Sequence, residues 1–145
     1  MSGDTPIAVD TSVAVPLLIA SHEAHRAVRR WLGGRTLGLA GHALAETYSV
    51  LTRLHGDARV SPLDAVSLMD DHFTVDLALP EEATAESHRV LARLGIAGGA
   101  TYDGLVGLAA RQRDVALATR DARARATYEA IGVRVEVITP HTWPQ

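Results

Sequence analysis

Four carboxylates, far apart in the chain, stand where chemistry could be done: Asp10, Glu46, Asp103 and Asp121. Asp10 closes the apolar run Ile7-Ala8-Val9 and is followed by Thr11 and Ser12. Glu46 lies inside His42-Ala43-Leu44-Ala45-Glu46-Thr47. Asp103 follows Thr101-Tyr102, and Asp121 follows Thr119-Arg120. Left bare, such a cluster repels itself, each acid raising the pKa of the others. A hard, oxygen-loving cation removes that penalty. Carboxylates and hydroxyls with no Cys suit Mg²⁺, with Mn²⁺ as a substitute. Thr11, Ser12 and Thr119 add hydroxyls beside the acids for contacts around the ligands. Taken singly, Asp10 and Asp121 read as helix N-caps and Asp103 as a complement to a helix dipole. Glu46 is harder to explain that way. Its helix reads as largely buried, no basic residue stands three or four positions away, and a buried unpaired carboxylate is costly. His42 is its one local partner.

The rest of the composition narrows the chemistry. All 14 basic residues are Arg. Without Lys there is no Schiff base, no Walker-type phosphate lysine and no lysine general base. Without Cys there is no disulfide, zinc thiolate or thiol nucleophile. A formal charge of -3 does not advertise nucleic-acid binding, yet acids neutralised by metal leave that question open. His22 and His25 are three apart but lack a third ligand and read as exposed helix residues. Gly98-Gly99-Ala100-Thr101 is a weak phosphate loop in a chain with no Lys. An acid after a first strand also fits a response-regulator receiver or an aspartyl phosphatase. Both use a Lys, and the phosphatase motif needs an Asp where Ser12 stands.

These acids need a frame that gathers them. With 145 residues, 47% hydrophobic and 21% charged, the chain reads as one globular domain spanning 1–145. No apolar run approaches the roughly 20 residues of a membrane span. The start, Met1-Ser2-Gly3-Asp4, does not read as a secretion signal, so a cytoplasmic home is expected. Strands are predicted at 6–10, 36–40, 74–79, 115–119 and 134–138. Helices alternate with them. One opens at Thr11 and contains Pro16, tolerable only near a first turn. One is capped by Ser21, with Ala24, Ala27, Val28, Trp31 and Leu32 as its apolar stripe, and ends at Gly33. Others run over 42–54, from the Ser61-Pro62 start to 73, and from Pro80 to Gly95. The last two run from a Thr101 cap to 112 and from an Asp121 cap to 131. The tail from Pro140 reads as irregular. Alternation of this kind gives an α/β/α sandwich around a mostly parallel sheet of about five strands. In such a sheet functional groups collect at the carboxyl ends of the strands, where Asp10 and Asp121 fall.

Asp10-Thr11-Ser12 after an apolar strand, Glu46 within 42–53, Tyr102-Asp103 opening a helix and Leu117-Ala118-Thr119-Arg120-Asp121 together resemble the PIN-domain family. The likeness is to the VapC-type toxins of bacterial toxin–antitoxin pairs and runs from about Ile7 to Val137. It implies Mg²⁺-dependent endoribonuclease activity, with the acidic quartet falling on Asp10, Glu46, Asp103 and Asp121. The Thr of the family's Thr-x-Asp element falls on Thr119. Gly104 departs from the Ala that commonly follows the third acid. Phosphodiester hydrolysis needs an activated water and neutralised phosphoryl oxygens, which bound metal supplies. Asp10, Asp103 and Asp121 are the expected metal ligands. Glu46 is expected to reach metal through water or to orient the nucleophile. Arg111, Arg113, Arg120, Arg123 and Arg125 fit solvated helix surface or RNA phosphates, with Arg120 and Arg123 the candidates for RNA contact. The resemblance also implies a homodimer, held inactive by a VapB-type antitoxin whose C-terminal segment covers the acids. A PIN-like module that binds RNA or protein without cutting is the alternative.

Overall fold

A computed structural model describes residues 5–139. The expectations for Met1 to Asp4 and for the tail from Pro140 lie outside these residues. In chain order the elements are β1 (Ile7–Val9), α1 (Thr11–Leu18), α2 (His25–Leu32), β2 (Leu37–Leu39), α3 (Ala43–Thr52), α4 (Pro62–His72), α5 (Glu81–Arg93), α6 (Ala100–Gln112), β3 (Leu117–Thr119), α7 (Ala122–Ile131) and β4 (Val135–Val137). A single 3-10 turn, Gly56–Ala58, joins α3 to α4.

The four strands form one parallel sheet in the order β2-β1-β3-β4. β1, β2 and β3 are buried along their whole length, as the unbroken apolar runs of parallel strands require, while β4 at the edge is half-buried. From β1 the chain winds outward to β2. From β3 it winds the opposite way to β4. Right-handed crossovers therefore place helices on both faces, giving the expected α/β/α layers. The change of direction falls between β1 and β3. That is the topological switch point, where the loops leaving two neighbouring strands part and open a crevice. The core beneath it includes Val9, Val13, Leu17, Leu37, Leu51, Val106, Leu117 and Tyr128.

The segment 74–79 is not the fifth strand that its alternating pattern suggests. Among the described residues only isolated parallel bridges, Leu37 with Phe73 and Ala40 with Leu77, join it to β2. At the second bridge the Asp76 side chain accepts from the Ala78 amide at 3.0 Å, closing a local turn in place of a further ladder bond. The segment also leans over the β2 edge. A Cβ on Gly38 would stand 2.6 Å from the Val75 carbonyl oxygen and 2.7 Å from Leu77 Cδ1.

Helix starts show which local signals hold. Ser61 caps α4 by accepting from the Asp64 amide, with Pro62 in the first turn. Gly132, in the left-handed region, ends α7. Ser21 does not cap α2. The helix begins at His25, and the His22 ring nitrogen accepts from the Ala24 amide instead. Thr101 does not cap α6, which already begins at Ala100. Pro16 lies well inside α1, not near its first turn. No helix among the described residues is long and apolar enough to cross a membrane.

Candidate metal centre

Asp10 is the first residue past β1 and the N-cap of α1, buried to 6% exposure. Its Oδ1 accepts from the Ser12 hydroxyl at 2.6 Å and from the Ser12 amide at 3.1 Å. Its Oδ2 accepts from the Tyr128 hydroxyl at 2.7 Å. The Asp10 amide donates to the Ala118 carbonyl across the β1–β3 pair, so the first acid is level with the end of β3. There the chain passes through Thr119 and Arg120 to Asp121, the N-cap of α7, which accepts from the Arg123 amide at 2.9 Å. The Asp121 amide donates in turn to Thr119 Oγ1 at 3.0 Å.

Ser12 joins the two strand ends. While donating to Asp10 it accepts from the Arg120 amide at 2.8 Å and lies 3.3 Å from Thr119 Oγ1. Pro16 adds a second tie. Lacking an N–H, it leaves the Ser12 carbonyl without its helical partner. The Arg120 guanidinium donates to that carbonyl at 3.3 Å.

The other two acids arrive on helices. Asp103 lies in the first turn of α6 and Glu46 in that of α3. Gly41 sets their separation. It adopts φ +51, and a Cβ there would stand 2.9 Å from Ala109 Cβ and 3.1 Å from the Leu105 carbonyl oxygen. Only Gly lets the start of α3 come this close to α6. Thr11 and the fully buried Thr47 share a 3.0 Å hydroxyl contact that ties α3 to α1 beside Glu46.

Asp10, Thr11, Ser12, Glu46, Asp103 and Asp121 line one small cleft with Val106, of about 60 Å³, roughly the liquid share of two waters. Burial, and then the charges of Asp10, Asp121 and Glu46, push Asp103 from 3.8 up to about 6. Asp103 thus feels the other three acids through a common space. The burial expected of Glu46 does not hold. It is exposed, on a helix that also presents Leu44 and Tyr48 to solvent. Its place at the cleft comes from the fold and not from a need for a buried partner. Among the described residues no three carboxylates or imidazoles already close on a single point. The cleft is open and lined by oxygens, and its donors fit a hydrated hard cation.

Tyr128 is the site residue that sequence reasoning missed. Burial, followed by the charge and hydrogen bond of Asp10, raises the phenol pKa far above its ordinary value, so it donates and does not ionise. A signal was present. Ala124, Tyr128 and Ile131 form a core-facing stripe, and a buried phenol needs an acceptor. The arginines separate. Arg120 is turned onto Ser12, and Arg113 donates to the Ala78 carbonyl. Arg125 pairs with Glu129, and Arg123 is exposed next to Asp121. His25 contacts the Pro16 carbonyl at 2.8 Å, so the His22–His25 pair serves α1 and α2 and holds no metal motif.

A parallel sheet with its acids gathered at the switch point defines an α/β domain built to present charge at one edge. The model of the PIN domain matches residues 7–130, and the chain belongs to the PIN-domain family. It is 56% identical to ribonuclease VapC27 of Mycobacterium tuberculosis (strain ATCC 25618 / H37Rv) over 132 residues, which are 91% of this chain and 96% of that one. It is 42% identical to ribonuclease VapC40 of Mycobacterium tuberculosis (strain CDC 1551 / Oshkosh) over 134 residues, 92% and 99% of the two chains. Two solved structures share the fold. One is Mycobacterium tuberculosis VapC20, a sarcin-ricin-loop-cleaving toxin (TM-score 0.63, 20% identity, 83% of this chain and 93% of that one). The other is VapBC2 from Rickettsia felis bound to a promoter DNA fragment (TM-score 0.62, 14% identity, 91% and 98%).

Proposed function

We propose that this chain is a divalent-metal-dependent endoribonuclease, the toxin of a VapBC-type toxin–antitoxin pair, hydrolysing RNA phosphodiesters at the four-acid cleft. The observation that carries this reading is the convergence of Asp10, Glu46, Asp103 and Asp121 on one cleft, with Asp103 pushed up to about 6 beside the other three. Kinship with ribonucleases VapC27 and VapC40 supports the activity. The all-oxygen donor set fits Mg²⁺, with Mn²⁺ as substitute. Mg²⁺ keeps several waters and takes few carboxylates, which suits an open cleft.

Asp10, Asp103 and Asp121 are the residues that would hold the ion, with Glu46 acting through water or orienting the attacking water. When bound, the ion supplies positive charge for the phosphoryl oxygens and an acidified water. The chain's own groups set the geometry. Ser12 and Tyr128 fix the two oxygens of Asp10, and the Arg123 amide holds Asp121. Thr119 anchors the Asp121 backbone, and the Thr11–Thr47 contact keeps α3, with Glu46, against α1. Arg123 is the arginine best placed to meet an RNA phosphate, since Arg120 is engaged with Ser12. The reading includes a homodimer and a VapB-type antitoxin whose C-terminal segment covers the acids. It takes the whole chain, 1–145, as one PIN-like domain working in the cytoplasm.

The test is metal removal and return. Chelation should stop cleavage, and millimolar Mg²⁺ or Mn²⁺ should restore it and raise the melting temperature through linkage. Cutting that survives chelation, or no thermal shift with either ion, contradicts the reading.

A further inference from the structure

Next to the acids in the chain stands an aromatic pair that does not itself line their cleft. Tyr102 is 56% exposed, while Tyr128 is fully buried and committed to Asp10. The Tyr102 ring lies 5.0 Å from the His42 ring, centroid to centroid, tilted by 32°. The pair bridges the two helices that bring Asp103 and Glu46. Tyr102 immediately precedes Asp103, so their Cα atoms are about 3.8 Å apart. His42, already in helical geometry at the start of α3, precedes Glu46 by one turn on the same helix face. His42 braces Tyr102 from the start of α3, and Tyr102 stays exposed one residue from Asp103.

We propose that Tyr102, braced by His42, is a stacking platform for one unpaired nucleobase next to the cleaved phosphate. This rests on the ribonuclease reading of the cleft. Inside a duplex both faces of a base are covered by its neighbours. In a loop or single strand a face is free to lie on an aromatic ring, and every base has such a face. A nucleotide with its phosphate at the acids carries its base within reach of the adjacent residue, which is Tyr102. The platform therefore selects for an unstacked strand more than for a base identity.

The experiment measures cleavage of short single-stranded RNAs in Mg²⁺ by the full chain and its Tyr102→Ala, Tyr102→Phe and His42→Ala variants. Each nucleotide around the cut is replaced in turn by an abasic ribose. A stacked base contributes enough that Tyr102→Ala should lower kcat/KM about tenfold, mainly through KM, with Tyr102→Phe within about twofold of wild type. His42→Ala should fall between them. One abasic position should weaken wild type by a similar factor and leave Tyr102→Ala almost unaffected, since both changes remove the same contact. The Mn²⁺-induced thermal shift of Tyr102→Ala should equal that of wild type. Equal abasic sensitivity in wild type and Tyr102→Ala at every position overturns the platform, as does loss of the Mn²⁺ shift in Tyr102→Ala, which would place the effect on Asp103. A wild type that neither cuts RNA nor shifts with Mn²⁺ overturns the ribonuclease reading and the platform with it.

Discussion

The hydroxyl of Tyr128 donates a 2.7 Å hydrogen bond to Oδ2 of Asp10, 118 residues earlier in the chain, and both side chains are buried. The contact carries α7 under the cleft and holds one oxygen of the acid that ends β1. Gly107 makes room for it. A Cβ there would stand 2.9 Å from Ile131 Cδ1 and 3.3 Å from Tyr128 Cδ1, so α6 and α7 can close together over the ring. Tyr128→Phe keeps the packing and removes the donor. It should cost about 2 kcal/mol, the range for a buried hydrogen bond to a charged group. It should also weaken Mn²⁺ binding, because Asp10 loses one of the groups that orient it. Urea unfolding and calorimetric Mn²⁺ titration check the two effects separately.

Asp103 gives the pH dependence. Its carboxyl stands near 6 in the folded chain against 3.8 as its ordinary value. A raised folded pKa means that the native state holds the proton more tightly than the unfolded one. The associated stability is fully present below about pH 4 and is lost as pH rises through about 6. Metal-free protein should therefore lose stability across that window, and Asp103→Asn should flatten this part of the profile and be more stable than wild type at pH 7.5. Metal binding needs the ionised form, so Mn²⁺ affinity should drop as pH falls below about 6. Melting curves from pH 4 to 8, with and without Mn²⁺, measure both trends.

Gly41 should be intolerant for two reasons that a neighbouring control separates. Gly41→Ala meets positive φ and the close approach of Ala109 and Leu105. Strain of about 1–2 kcal/mol from the left-handed backbone adds to about 1–3 kcal/mol from overpacking. The substitution pushes α3 from α6, and Glu46 from Asp103, so cleavage should fall with stability. Gly98 has φ +60 but nothing within 4 Å of an added Cβ. Gly98→Ala should show the backbone strain alone and keep its activity.

Arg120, Ser12 and Pro16 form a coupled set. Arg120→Ala leaves the Ser12 carbonyl without its guanidinium donor and should cost about 1 kcal/mol. In a Pro16→Ala background the restored amide at position 16 can donate to the same carbonyl. The cost of Arg120→Ala should then shrink, giving a measurable coupling energy in a double-mutant cycle by urea unfolding.

The parts of this protein that were legible in its sequence are those set by one strand or one cap. The apolar runs ending at Asp10 and Thr119 mark two strands that a parallel sheet must align, and the acids follow from that alignment. Segment 74–79 misleads because its alternation is real but Asp76 turns the backbone locally, and no periodicity reports that choice. Glu46 misleads because its surroundings on α3 are apolar, yet Leu44 and Tyr48 face outward. Ser21 is bypassed because the helix starts only at His25, after a turn in which the His22 ring nitrogen accepts from the Ala24 amide. Tyr128 and Gly41 act through partners 118 and more than 60 positions away, which no local pattern pairs with them.

The most direct measurement is cleavage mapping of total cellular RNA in Mg²⁺ with wild type and Asp10→Asn at matched concentration, with circular dichroism confirming that both are folded. A metal-bound quartet predicts discrete cuts by wild type that vanish with chelator and are abolished in folded Asp10→Asn. The same cuts made by folded Asp10→Asn would contradict the assignment of Asp10 and, with it, the four-acid site.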